Sequence, residues 1–211
     1  MLLQNKSVSY NDFHEKGCGA LKEFEYTGKV YRTAYFWTDV VKLNGQKEIK
    51  YLEIGAFQGA NALTFWKLYC ENTSGKSEIH LVDPWISYND YNEYANEQSS
   101  NYKNLLSNIS RAPEACISSF YIHRGFSYDK LLNFNNDYFD IIYIDGNHKP
   151  EYVIEDAVLS FRKLKRHGYM IFDDYGWEEV HVGVDAFLTA YKDKVKILGC
   201  QNCQVFLQKL M

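Results

Sequence analysis

The chain reads as an α/β protein: a doubly wound, mostly parallel sheet with helices on both faces and a C-terminal antiparallel hairpin strand. Three observations predict it. Short apolar runs of strand length recur from residue 46 onward, and most are apolar on both faces, as strands buried between two helical layers must be. Helical stretches separate these runs, which implies right-handed crossovers. The last two runs are joined by only Gly199 to Asn202, a link short enough for a hairpin.

Residues 1 to about 28 are polar and Gly-containing and read as an irregular arm. From Tyr31 to Leu43 the apolar positions Ala34, Tyr35, Val40 and Val41 predict a helix, ended by Asn44-Gly45. Residues 1–45 are therefore expected to form an arm and helix that cap the site, and 46–211 the main body of a single domain. Strands are predicted at Ile49–Ile54, Ile79–Val82, Ser119–His123, Phe139–Ile144 and Tyr169–Phe172. Helices are predicted at Asn61–Glu71, Tyr91–Ile109, Tyr128–Asn133 and Tyr152–Lys165. A last helix, Val184–Tyr191, leads into Val195–Leu198 and Cys203–Leu207, the hairpin pair.

Composition narrows the partners. With 46% hydrophobic and 24% charged residues among 211, the chain has the make-up of a soluble globular domain. The net charge of −4 argues against nucleic acid as a partner, since broad phosphate contact needs a basic face. The cluster Arg162, Lys163, Lys165, Arg166 closes a predicted helix, where cations suit the negative end of the dipole. No apolar run approaches a membrane-spanning length, and Met1 to Tyr10 lacks the apolar stretch of a signal peptide. With five scattered cysteines, this predicts a cytoplasmic protein without a membrane partner. Cys200 and Cys203 form a Cys-x-x-Cys pair, but no second pair completes a zinc site.

The informative feature is the position of the acids. Glu53, Asp83, Asp145 and the pair Asp173-Asp174 stand at or near the ends of four predicted strands. In a doubly wound sheet those ends share one edge, where ligands bind. Each acid alone is explained as a turn former or helix cap. Five along one edge would repel each other unless cations or polar ligands balance them.

Glu53 lies in Tyr-Leu-Glu-Ile-Gly-Ala-Phe-Gln-Gly, residues 51–59. Gly55 permits a tight turn, Ala56 follows it, and Gly59 lets the next helix pack close. A dinucleotide site uses related glycines, but it offers backbone N–H groups to a pyrophosphate. Here an acid stands two residues before the first glycine, and the third-glycine spacing is absent. A carboxylate there suits a ligand carrying a cationic amine. Asp83 fits the task of accepting hydrogen bonds from two ribose hydroxyls.

Glu-x-Gly-x-x-x-Gly at Glu53, Gly55 and Gly59, with the strand-ending Asp83, resembles the first two motifs of class I S-adenosylmethionine-dependent methyltransferases. The stretches 139–148, 168–175 and 183–187 resemble one group within them, which includes the macrolide-sugar O-methyltransferases of the macrocin type. The likeness runs from about Lys50 to Leu207, weakly over the insert 84–118, and has His167-Gly168 where Gly-Gly is usual. It implies a Rossmann-like methyltransferase sheet and S-adenosylmethionine as cofactor. Glu53, Gly55, Ala56 and Gly59 would hold its methionine part, Asp83 its ribose, and Ser127 would approach its adenine or ribose side.

In metal-dependent members of that group three residues hold a divalent cation. Carried over, these are Asp145, Asp173 and Asp174. Hard oxygen ligands suit Mg²⁺. His148, three residues after Asp145, would act as catalytic base beside it, taking the proton of a hydroxyl made acidic by the metal. The expected activity is a Mg-assisted O-methyltransferase acting on a small-molecule hydroxyl, with a sugar or sugar-bearing metabolite favoured by His148. Tyr175 and Trp177 would wall the acceptor pocket, and Tyr88, Tyr91 and Tyr94 would form a lid. The relatives are often oligomeric, so a homo-oligomer is an expected form. Alternatives are a metal-independent enzyme acting on an amine or macromolecule, and a non-catalytic cofactor-fold protein. An oxidoreductase using NAD would need a pyrophosphate loop that is absent.

Overall fold

The computed structural model describes residues 5–6, 19–31, 34–43, 45–87 and 97–211. In chain order its strands are β1 (Asn5–Lys6), β2 (Lys50–Ile54), β3 (Glu78–Asp83), β4 (Phe120–Arg124), β5 (Phe139–Ile144), β6 (Leu164–Phe172), β7 (Val195–Gln201) and β8 (Gln204–Lys209). They form one sheet in the order β1-β7-β8-β6-β5-β2-β3-β4. Pairing is parallel from β6 through β4, and antiparallel where β8 meets β6 and β7. This is the predicted architecture, with the two-residue β1 added alongside β7 from the arm.

Alternation along the strands divides the core. Tyr51, Ile79, Leu81, Ile141, Tyr143 and Ile171 face one layer, together with the N-terminal segment. Leu52, Val82, Ile142, Ile144, Met170 and Phe172 face the other. A period of two with apolar residues on both faces is what a central parallel strand requires.

The helices are α1 (Gly19–Lys22), α2 (Ala60–Phe65, continued as a π-helix over Trp66–Cys70), α3 (Gln98–Ser110), α4 (Glu114–Ile117), α5 (Ser127–Lys130), α6 (Pro150–Lys163) and α7 (Glu178–Tyr191). The helix expected over Tyr31–Leu43 is not one. Among the described residues that stretch holds a single 3-10 turn, Ala34–Trp37. Its buried residues are Ala34, Phe36, Trp37, Val41 and Leu43, which do not fall on one helical stripe. Tertiary bonds hold the chain instead: Trp37 Nε1 donates to Gln204 Oε1 at 2.9 Å and the Lys42 N–H to Tyr169 Oη at 3.3 Å.

Helix α7 begins six residues before the predicted start, with Glu178 and Glu179 in its first turn, where acids complement the dipole. Helix α6 stops at Lys163 because Lys209, 7% exposed, reaches its end. The Lys209 ammonium donates to the carbonyls of Phe161 and Leu164 at 3.1 and 2.6 Å and to Asp137 at 2.8 Å. The β7–β8 turn places Asn202 and Cys203 at φ 52° and 59°, the geometry of a type I′ hairpin.

Candidate active site

The backbone lines up the candidate acids. The N–H of Gly55 donates to Val82 O, that of Asp145 to Ile54 O and that of Asp173 to Ile144 O, at 2.9, 2.9 and 3.0 Å. Each residue just past one strand is thus bonded to the end of its neighbour. Gly55 has φ 84°, and a Cβ there would lie 1.8 Å from the Asp145 carbonyl oxygen, so only glycine fits between the two loops. Gly59, also at φ 84°, opens α2 and lies against Leu105 of α3.

Glu53 is 2% exposed. Its Oε2 accepts the Tyr51 hydroxyl at 2.5 Å and the Asn61 amide at 3.1 Å. Burial pushes its carboxyl up to about 8, with Asp83 and Asp173 adding repulsion and the two donors opposing the shift. A cationic ligand group would reverse that shift. Asp83 accepts from the N–H of Phe57 at 3.0 Å on one oxygen and of Trp85 at 2.8 Å on the other. Burial raises it to about 6 against those backbone bonds. With a third backbone donor at Ala56, the carboxylate keeps one of its four lone pairs for a ligand hydroxyl. Ala56 is 2% exposed and belongs to the core, and its N–H also bonds Asp83.

Two parts of this half were not found in the sequence. Gln58 ties the glycine loop to its surroundings: its Oε1 accepts the Lys29 N–H at 2.9 Å, and its Nε2 donates to Asn101 at 2.8 Å. Asn108 donates to the carbonyls of Gln58 and Thr27, both at 3.0 Å. Helix α3 of the insert is therefore the buttress of that loop. The second is Asp156 of α6, 3% exposed, which bonds the Ser127 side chain and whose burial raises it to about 7. Its Oδ2 lies 2.9 Å from where a Gly146 Cβ would be. Ser127 is thus bound beneath the Asp145–Gly146 loop. An acid among Val153, Ala157 and Ser160 on the apolar stripe of α6 was the available signal.

At the other half, the two adjacent acids part company. Asp173, 5% exposed, continues the pleat inward. It accepts the Tyr143 hydroxyl at 2.5 Å on Oδ2 and the Asp174 N–H at 2.8 Å on Oδ1. Gln204, itself bonded to Trp37, donates to the same Tyr143 oxygen at 3.4 Å. Asp174 has φ 52° and turns the other way, with Oδ2 3.4 Å from His148 Nε2. Asp145, His148 and Asp174 each offer one ligand atom, all within 4.8 Å of one another. The set that converges thus contains His148, whereas the set expected from the sequence contained Asp173. Two carboxylates and an imidazole fit a divalent cation.

Trp177 is 44% exposed and its ring meets His148 edge-on at 4.6 Å. Tyr175 does not wall a pocket: it is 5% exposed and its hydroxyl donates to Asp185 of α7 at 2.8 Å. Tyr88, Tyr91 and Tyr94 lie outside the described residues. The basic cluster is partly spent on structure, with Lys163 donating to Phe134 O and Lys165 paired with Asp140, both at 2.8 Å.

Residues 52–175 match the family model described as "Methyltransferase domain". The chain belongs to this methyltransferase family. The methyltransferase is 29% identical over 132 residues to the uncharacterized protein R132 of Acanthamoeba polyphaga mimivirus, covering 61% of this chain and 52% of the relative. The match thus spans about half the length of that curated protein. Among solved structures it is similar to the O-methyltransferase NovP, with TM-score 0.57 and 14% identity over 92% of this chain and 79% of that one. It is also similar to the S-adenosylhomocysteine-bound Podospora anserina methyltransferase PaMTH1, with TM-score 0.52 and 17% identity over 77% and 72%. At such identities the likeness establishes a shared fold. The matched span contains Glu53, Asp83, Asp145, His148 and Asp174, so the methyltransferase carries its whole acidic edge within the family domain. No helix among the described residues is long and apolar enough to cross a membrane.

Proposed function

We propose that this methyltransferase moves the methyl group of S-adenosylmethionine to a hydroxyl of a small molecule, with a divalent cation seated beside the donor. The observation that carries the proposal is the division of one sheet edge into two acidic halves. Glu53 and Asp83 form the first, Asp145 and Asp174 with His148 the second.

In the first half the Glu53 carboxylate takes the α-amine of the donor, and Asp83 takes a ribose hydroxyl while holding the glycine loop closed. In the second half Asp145 and Asp174 hold the cation. When bound, that ion supplies Lewis acidity to the acceptor oxygen. Transfer is an in-line displacement on the sulfonium carbon: the acceptor oxygen bonds the methyl carbon, the C–S bond breaks to leave S-adenosylhomocysteine, and the hydroxyl proton passes to solvent water, so the protein's main contribution is alignment of acceptor and donor. Buried Tyr51 and Tyr143 hold Glu53 and Asp173 still by short hydrogen bonds. The half-exposed Trp177 ring beside His148 offers an apolar platform of the kind on which a sugar face stacks, and this supports a sugar or sugar-bearing acceptor.

The test has two parts. Calorimetric titration should show S-adenosylmethionine binding that Glu53→Ala and Asp83→Ala abolish; undiminished binding in both variants refutes the cofactor assignment. Turnover on a hydroxylated acceptor panel should stop on chelation and return with a divalent ion. Activity that ignores the chelator would favour the metal-independent alternative.

A further inference from the structure

We infer that His148 is a ligand of the cation and not the proton acceptor, and that the site selects a nitrogen-accepting later divalent ion such as Co²⁺ over Mg²⁺. The inference rests on the cation-assisted reading and refines which residues build that site. Three observations carry it.

The first is convergence. The His148 Nε2 to Asp174 Oδ2 separation of 3.4 Å is that of two ligands sharing one ion. Ligands at roughly 2.0 to 2.2 Å from a metal lie roughly 3 to 3.5 Å apart when adjacent in its coordination sphere. With Asp145, the three atoms stay within 4.8 Å of one another.

The second is the orientation of the ring. A histidine base supported by a carboxylate on one nitrogen must show the other to the acceptor. In His148 the nitrogen facing the carboxylates is Nε2, while Nδ1 is buried. The residue is 8% exposed, beneath the Trp177 ring. The ring therefore meets the acidic cluster with one nitrogen and the protein interior with the other.

The third is the diversion of Asp173. Its oxygens accept Tyr143 at 2.5 Å and the Asp174 N–H at 2.8 Å, and it lies outside the group whose ligand atoms converge within 4.8 Å, Asp145, His148 and Asp174. Replacing that carboxylate with an imidazole changes the donor set from three oxygens to two oxygens and a nitrogen. Mg²⁺ takes oxygen ligands and keeps its waters, whereas imidazole suits later divalent ions.

The experiment titrates Mg²⁺, Mn²⁺ and Co²⁺ into the full chain and four variants, by calorimetry and by the visible spectrum of bound Co²⁺. S-adenosylhomocysteine binding, which depends on the other half of the site, confirms that each variant is folded. Wild type is expected to prefer Co²⁺ to Mg²⁺ by about tenfold or more, with Mn²⁺ between them. His148→Ala and His148→Gln should lose about tenfold or more in Co²⁺ affinity and shift the Co²⁺ bands, Asp174→Ala should abolish binding, and Asp173→Asn should stay within about twofold of wild type. Unchanged Co²⁺ affinity and spectrum in both His148 variants would overturn the inference while Asp174→Ala still failed to bind, leaving the cation reading in place. Loss in Asp173→Asn equal to that in Asp174→Ala, with the His148 variants unaffected, would restore the three-carboxylate set. No metal-dependent signal in folded wild type would remove the cation reading itself.

Discussion

Under the proposed function, in which Glu53 meets the donor's amine, cofactor binding becomes a proton-release reaction. Its carboxyl is pushed up to about 8 in the ligand-free protein, chiefly by burial. At pH 7 it is therefore about nine-tenths protonated. The donor's α-amine is a cation, and pairing with it favours the carboxylate. Binding at pH 7 should then release about 0.9 proton from Glu53, with Asp83, raised to about 6, adding about 0.1. The same linkage sets the pH dependence. Affinity should rise nearly tenfold per unit, about 1.4 kcal/mol, up to about pH 7, by about fivefold from there to pH 8, and level off above it. Calorimetry of S-adenosylhomocysteine in phosphate and in Tris, buffers of different ionisation enthalpy, reads the proton number directly. Glu53→Gln should bring it near zero and flatten the pH profile. Release of no protons by wild type at pH 7, with tight binding intact, would mean that Glu53 is already ionised or does not meet the amine.

Three further predictions concern the scaffold. Gly55→Ala should lower the unfolding free energy read from urea melts by at least about 2 kcal/mol, because a side chain at φ 84° costs about 1–2 kcal/mol before its clash with Asp145 O is added; an unchanged melt would contradict the close approach. Lys209→Ala leaves the carbonyls of Phe161 and Leu164 without their donor and should cost about 2–4 kcal/mol in the same assay, whereas a change below about 0.5 kcal/mol would show that α6 ends for another reason. His80 and His123 bond each other at 2.9 Å and burial lowers both, His123 to about 4, so the fold keeps them neutral while the unfolded chain protonates them. Their contribution is complete above about pH 6.5 and fades as pH falls toward 4, so thermal melts of His123→Gln should vary less with pH over that window than wild type; parallel curves would exclude the pair.

Much of this methyltransferase was legible in one dimension. Apolar runs such as Phe139–Ile144 need both faces buried, which dictates a layered parallel sheet, and a parallel sheet must gather its strand ends at one edge. Glu53, Asp83 and Asp145 could be placed together for that reason alone. The limit came where neighbours along the chain choose between partners far apart in it. The segment Tyr31–Leu43 has helix-like apolar content, but Gln204 and Tyr169, distant in sequence, hold it as a single turn. Asp156 is one acid among several on its helix in the sequence, and only the fold sets it against Ser127 and Gly146. Asp173 and Asp174 are chemically identical in the sequence, and strand periodicity stops between them. Which one turns inward depends on Tyr143, whose hydroxyl in the core needs a carboxylate to accept it, and that contact leaves Asp174 to face His148. Local spacing determines which residues reach the edge, whereas long-range hydrogen bonding decides which of them face a ligand there.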